Sequence, residues 1–234
     1  MNNFTVGQNE RKSMILENVN VEAVIFSQAL TTHVANIRLF QGGKEYTILN
    51  GVAKRFSDVS THPLQVVDKA ILFGTNINLR GEDRMTIEVS NTEATAIGVT
   101  AIEGTGAQEY IPEFQTFDIS STNYIFKVGH GVKRLLLSGS NTTTQINLKS
   151  DKVNVILAKD QIDGISAIQP TPWASYFHNG VELNDVNLEV SNPQASSYVT
   201  AFKTVTNSYV SANYERRSAM HESADAASAY KTYK

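Results

Sequence analysis

The sequence predicts an all-β protein built as two β-sandwiches in tandem, with little helix. Three observations carry this. Short runs that alternate apolar and polar residues recur at intervals of roughly 8–12 residues, each closed by Gly, Asn, Ser or Thr. No run of helices lies between them, as a parallel α/β sheet would need. And one strand unit near Glu88 returns about a hundred residues later, as internal repeats do.

The repeated unit organises the chain. Met85-Thr-Ile-Glu-Val-Ser-Asn91 is answered by Val186-Asn-Leu-Glu-Val-Ser-Asn192. Both copies then reach an Ala (Ala94, Ala195) and a second run, Val99-Thr-Ala-Ile102 and Val199-Thr-Ala-Phe202. The offset is 101 at Glu88/Glu189 and 100 at Val99/Val199, so one residue separates the two connections. Loops absorb such changes; strands do not, because a one-residue slip turns every side chain to the other face. Met85, Ile87 and Val89 alternate with Thr86, Glu88 and Ser90, the period of a half-buried strand. The unit reads as a hairpin or strand pair used twice.

In chain order, residues 1–12 are polar and read as a flexible N-terminal arm. Val19, Val21, Ala23 and Ile25 alternate with polar or smaller neighbours as the first strand. Ala35, Ile37 and Leu39 form a second strand, and Gly42-Gly43 supplies the positive φ of a tight turn into Tyr46 and Ile48. Asp58–Pro63 is a connection ended by proline. Val66–Phe73 is mixed in period and fits a buried strand or a short helix, and Asn76–Arg80 is strand-like. Gly104-Thr105-Gly106 marks the boundary between halves. Beyond it, Phe114–Ile119, Tyr124–Val128, Val132–Ser138, Thr144–Lys149 and Val153–Leu157 read as strands separated by polar turns. A long connection runs from Lys159 to Gly180. The domain reading is an arm over 1–12, a first sandwich over 13–106, a second over 107–210, and a tail over 211–234. That tail is Ala- and Ser-rich, and fits a marginal helix or a disordered segment. The whole amounts to about twelve to fourteen strands.

Composition narrows function mainly by exclusion. The 234 residues include 41% hydrophobic and 18% charged residues, with a net charge of −3, which gives no reason to expect a nucleic-acid-coating protein. Cysteine is absent, so disulfides and thiolate metal sites are excluded. No window approaches the ~20 apolar residues of a membrane-spanning helix, and the N-terminus lacks a signal-peptide pattern. The five histidines are scattered. No nucleophile elbow, phosphate loop or dinucleotide fingerprint is present. Asp160-Gln-Ile-Asp163-Gly164 has the outline of a calcium loop but lacks the alternating ligands and the closing Glu. We therefore expect no enzyme activity, no catalytic residues, no metal ligands within the chain and no cofactor; calcium between subunits is left open, since the sequence carries no sign of it either way. Glu88 and Glu189 read as residues of a solvated strand face. Trp173, Tyr176 and Phe177, just after Pro170 and Pro172, are candidate ligand or interface contacts. Arg216, Arg217, Lys231 and Lys234 in the tail are candidate contacts to a membrane or nucleic acid.

The near-duplicate halves, the two Glu-Val-Ser-Asn units (Glu88–Asn91 and Glu189–Asn192), and the absence of cysteine and catalytic motif resemble one family. It is the double jelly-roll major capsid proteins of tailless icosahedral phages with an internal membrane. The resemblance covers about residues 13–210 at the level of pattern, and no functional residue is carried over. Membership implies a jelly roll in each half and a homotrimer of pseudo-hexagonal outline that tiles an icosahedral shell. It also implies a place in the virion after synthesis in the host cytoplasm. The implied partners are other copies of the chain, vertex and minor capsid proteins, and the internal membrane, with no sequence-specific nucleic acid. Halves this short also leave room for seven-stranded sandwiches. The competing reading is a tandem-sandwich spike or adhesin that binds a surface glycan through the Trp173–Phe177 aromatics.

Overall fold

The computed structural model describes residues 2–52, 65–67, 69–119, 124–129, 132–138, 143–149, 154–167, 173–177, 186–192 and 198–206. The first half contains β1 (Asn3–Val6), β2 (Glu10–Glu17), β3 (Asn20–Phe26), β4 (Val34–Gln41), β5 (Lys44–Val52), β6 (Gln65–Val67), β7 (Ala70–Asn78), β8 (Arg84–Asn91) and β9 (Ile97–Glu103). They form two antiparallel sheets of order β1-β9-β3-β7-β6 and β2-β8-β4-β5. The second half contains β10 (Ile111–Asp118), β11 (Tyr124–Gly129), β12 (Val132–Ser138), β13 (Gln145–Lys149) and β14 (Asn154–Ala158). It continues with α1 (Lys159–Ala167), β15 (Trp173–Phe177), β16 (Val186–Ser191) and β17 (Tyr198–Val205). Its sheets run β10-β17-β12-β15 and β11-β16-β13-β14.

Leaving out the short β6 and counting strands from one to eight within each half, both halves have the same order: 1-8-3-6 in one sheet and 2-7-4-5 in the other. This is the wiring of a jelly roll, in which the chain crosses repeatedly between two sheets. Each half thus has the full eight strands, and the seven-stranded alternative falls away.

The repeated unit occupies matching places, as the seventh and eighth strands of each half: β8 and β9, β16 and β17. It is not a hairpin. β8 pairs with β2 and β4, while β9 pairs with β1 and β3 in the facing sheet. The connection is a corner between sheets, and the alternation that marks a strand carries no information about its partner. Even the cross-strand neighbours repeat: Glu88 lies opposite Asn36, and Glu189 opposite Asn147.

A further repeat is invisible in the sequence. Opposite β9, Val21 pairs with Glu103 and Ala23 with Ile102, leaving Glu22 as an extra residue. Opposite β17, Val132 pairs with Lys203 and Arg134 with Phe202, leaving Lys133 extra. A β-bulge stands at the same point of the third strand in both halves. Such bulges bend a strand and shift its phase. In β3 the shift turns Val24 and Phe26 inward and leaves Ile25 outside, 39% exposed, where simple alternation from Val21 would bury Ile25.

The interiors follow from the pattern. Leu16, Ile37, Leu39, Met85, Ile87 and Val89 of one sheet and Val21, Val24, Phe73, Ile77 and Val99 of the other are buried in the first core. Ile146, Leu148, Leu188, Val190, Val199 and Ala201 are in the second, with Ile162 of α1.

Other expectations change. Residues 1–12 are not an arm: Asn3–Val6 pairs with β9, and Glu10 onward pairs with β8. Exposed edge positions on β2 hid the strand from a hydrophobicity reading. The Val66–Phe73 stretch is split between β6 and β7, so the short-helix option is excluded. The stretch expected as a connection from Lys159 contains α1 and β15. Asp160 and Asp163 lie on that helix, where Asp163 pairs with Lys159 one turn away, so there is no calcium loop. There are seventeen strands among the described residues, more than the pattern suggested.

Candidate assembly surfaces and the joint between the halves

The segment between Glu103 and Ile111 joins the two jelly rolls, and it is pinned down by polar contacts. Gln108 is almost fully buried, as are Gln41 and Asn78. Gln41 Nε2 donates to Gln108 Oε1 at 3.0 Å, and Gln108 Nε2 donates to Gln41 Oε1 at 2.8 Å. The backbone N–H of Asn78 also donates to Gln108 Oε1 at 3.0 Å, and Gln41 Nε2 reaches the Asn78 carbonyl at 2.9 Å. One buried amide from the link therefore ties the ends of β4 and β7 together. Next to it, Glu109 N–H donates to Thr75 Oγ1 at 2.8 Å, and the Tyr110 hydroxyl donates to the Gly74 carbonyl at 3.2 Å.

The apolar core continues through this joint. Ile111, Phe114 and Phe202 from the second half are in the same buried cluster as the first core, and the Phe114 and Phe202 rings sit 5.5 Å apart. β5 is an edge strand, and a bulge there places an extra residue, Ile48, between the pairs Ile37–Leu49 and Arg38–Thr47. Ile48 is fully buried in the shared cluster. Close by, the half-buried Glu113 carboxyl accepts the Thr47 backbone N–H. Burial pushes its pKa above the usual carboxylate value, against the pull of Lys203 opposite it and of the Thr47 N–H. An edge strand left open invites other chains; here β5 is covered from within.

Of the residues singled out in the sequence, those described lie on three strands, with Glu88 on β8, Glu189 on β16 and the aromatics on β15. Trp173, Tyr176 and Phe177 all lie on β15, the edge strand beyond β12, opposite Ser138, Leu135 and Arg134. They are not loop residues, since the stretch expected as a connection is a strand there. Arg216, Arg217, Lys231 and Lys234 lie outside the described residues. Glu88 is on the outer face of its sheet, where Arg11 Nη2 contacts it at 2.7 Å. Exposed Ile15, Ile125 and Ile156 also occupy outer positions. Among the described residues no group of three His, Asp or Glu side chains is close enough to hold a metal, and no helix is long and apolar enough to cross a membrane.

Sequence reasoning missed the joint. One signal was present: β4 buries Ala35, Ile37, Leu39 and Gln41 on one face, so a glutamine occupies an inward position. A polar residue in the inward phase needs a buried partner, and Gln108 is that partner.

Strand order and joint together define a class: two jelly rolls in one chain, welded edge to edge through a buried link. No protein-family model and no curated protein matches the sequence. Among solved structures, the fold is similar to the major capsid protein P2 from bacteriophage PM2, with a TM-score of 0.55 at 10% identity over 88% of this chain and 99% of that one. A chain from the structure of Sulfolobus Turreted Icosahedral Virus matches with a TM-score of 0.46 at 11% identity, over 92% of this chain and 94% of that one. The resemblance to double jelly-roll capsid proteins is thus present in the fold.

Proposed function

We propose that this chain is a major capsid subunit whose trimers, pseudo-hexagonal in outline, tile an icosahedral shell. One observation carries the reading: two jelly rolls of identical strand order, joined through a buried link in one chain, with the fold of PM2 P2 over nearly its whole length. Six similar sandwiches from three copies suit a six-cornered tile, and a closed ring requires heterologous contacts between unlike edges. Function then lies in surfaces rather than in a catalytic centre. Other virion proteins and an underlying membrane are the partners this reading assigns, and the virion its location. It assigns no cofactor and no catalysis.

Sedimentation across a concentration series tests it. The expected species has three times the 25.7 kDa chain mass, or exchanges with larger shells visible by electron microscopy. A chain that stays monomeric at high concentration, with no assemblies on the grid, would overturn the proposal.

A further inference from the structure

One end of the first jelly roll is tied by a cluster of polar groups around a buried histidine. The connection between β3 and β4 (residues 27–33) meets the connection between β8 and β9 (residues 92–96). Thr31 and Thr32 hydroxyls both donate to Glu93 Oε1, at 2.9 and 2.6 Å, and Thr32 and Thr92 hydroxyls are 2.9 Å apart. Asn91 fixes the second connection: its Oδ1 accepts the Glu93 N–H at 2.8 Å, and its Nδ2 donates to the Thr95 carbonyl at 2.9 Å and to the Val6 carbonyl at 3.3 Å. His33 sits beneath, 1% exposed. Its Nδ1 accepts the Thr31 backbone N–H at 3.2 Å, its Nε2 is buried, and the Asn91 side chain lies close enough to the ring to interact with it.

That arrangement favours the neutral ring. A proton on Nδ1 would set one donor against another, the Thr31 N–H, and burial opposes the charge more than the Glu93 carboxylate and the Asn91 side chain support it. We propose that His33 is a proton-operated latch: in its neutral form it holds the 27–33 connection against the 92–96 connection, and on protonation it releases them.

The charges around it are few. Residues 27–32 contain none, and Glu93 is the charged group that acts on the ring from the facing connection. At the start of β2, Glu10 and Lys12 are paired with each other at 2.8 Å. Burial is the largest influence on the imidazole and holds its pKa below the ordinary histidine value, with the Glu93 charge and the Asn91 side chain pulling the other way. The Glu93 carboxyl is held below its ordinary value, chiefly by the Thr32 and Thr31 hydroxyls, so it is ionised at neutral pH. The sign follows. A histidine whose folded pKa is depressed loses its stabilising contribution as pH falls below its ordinary value, near 6.5.

Hydrogen exchange on the full chain, read by mass spectrometry at about pH 7.5 and pH 5.5 and corrected for intrinsic rates, tests the latch. Residues 27–33 and 92–96 should lose protection by about tenfold or more at the lower pH, while β7 and β9 stay protected. His33→Asn keeps an acceptor near the Nδ1 position but cannot gain the proton, and should abolish the pH effect in these segments. If His33→Asn does not fold, an NMR titration of the wild-type His33 ring decides by itself. A pKa clearly below 6.5 supports the latch, and one at or above 6.5 overturns it. Equal protection at both pH values, or a pH effect that survives His33→Asn, would also overturn it.

Discussion

The sharpest test of the joint is Gln108→Ala. The side chain makes three hydrogen bonds in a nearly dry site: two with Gln41 and one from the Asn78 backbone N–H. Each is worth about 1 kcal/mol net, and leaving a buried donor or acceptor unpaired costs about 1–3 kcal/mol more. Water entering the space left by alanine recovers part of this, so the expected loss is about 3–5 kcal/mol. For a chain of this length, 1 kcal/mol moves the thermal midpoint by roughly 2–4 °C, so the midpoint should fall by roughly 6–20 °C. Calorimetry gives the midpoint and urea titration the free energy. Because the core runs through the joint, wild type should unfold in one transition, and the variant should either shift it or split it. Combining Gln108→Ala with Gln41→Ala should cost less than the sum of the single changes by at least about 1 kcal/mol, as for partners in one network. A loss below about 1 kcal/mol, or strict additivity, would show that water replaces the amide and that the polar network does not hold the halves.

Further outcomes follow from the same structure. Glu113 has a raised pKa, so the folded state holds its proton more tightly than the unfolded chain, and stability falls as pH rises from the ordinary Glu value through the folded one; Glu113→Gln should flatten that part of a stability–pH curve and should not destabilise at pH 7. Ile87→Ala and Leu188→Ala remove matching core residues from the two jelly rolls; each should cost about 2–5 kcal/mol in urea unfolding. Gly43, at φ 76° in the Gly42-Gly43 turn, has open space where a Cβ would stand, so Gly43→Ala should cost only backbone strain, about 1–2 kcal/mol by the same assay. Arg11→Ala breaks an ion pair with one side well exposed, and should leave the thermal midpoint unchanged within error.

Fold class, duplication and the seventh and eighth strands were legible because a strand half-buried in a sandwich must alternate. Met85, Ile87 and Val89 could not be apolar in that spacing and face water. Partners were not legible. Alternation in β8 and β9 is the same whether they form a hairpin or stand in facing sheets, and only the tertiary structure chooses. β3 was read one step out of phase after Glu22, because a bulge inserts a residue without altering composition. β1 and the start of β2 were lost to an arm because edge strands expose most of their side chains: Glu10, Arg11 and Lys12 are all exposed, yet paired with β8. At the joint, Gln41 and Gln108 are far apart in sequence, and nothing local marks two glutamines as partners.

The duplication also explains where the halves differ. Phe4 and Phe117 hold the same place opposite Val99 and Val199, 113 residues apart, whereas Val99 and Val199 are 100 apart. The second half is therefore shorter over this span while keeping the eight shared strands. One step lies in the fourth-to-fifth-strand hairpin, where Asn36 to Asn50 matches the shorter Asn147 to Ile156. Another lies within the sixth strand and its passage to the seventh. There β7 carries a wide bulge, Leu72 to Ile77 standing opposite only Ala23 to Val21. Between those places, the crossing from fifth to sixth strand leads through β6 in one half and α1 in the other. All these changes fall on the β5 and β7 side of the first half, and β5 is the edge that the Glu113 carboxyl and the shared core close within the chain. The matching side of the second half, with β14, α1 and β15, is built differently and has no second link to cover it among the described residues. Equal halves would present the same edge twice and would have no means of telling an internal contact from an external one. Divergence concentrated at that edge gives one chain two kinds of contact, as the proposed ring of three double units would require.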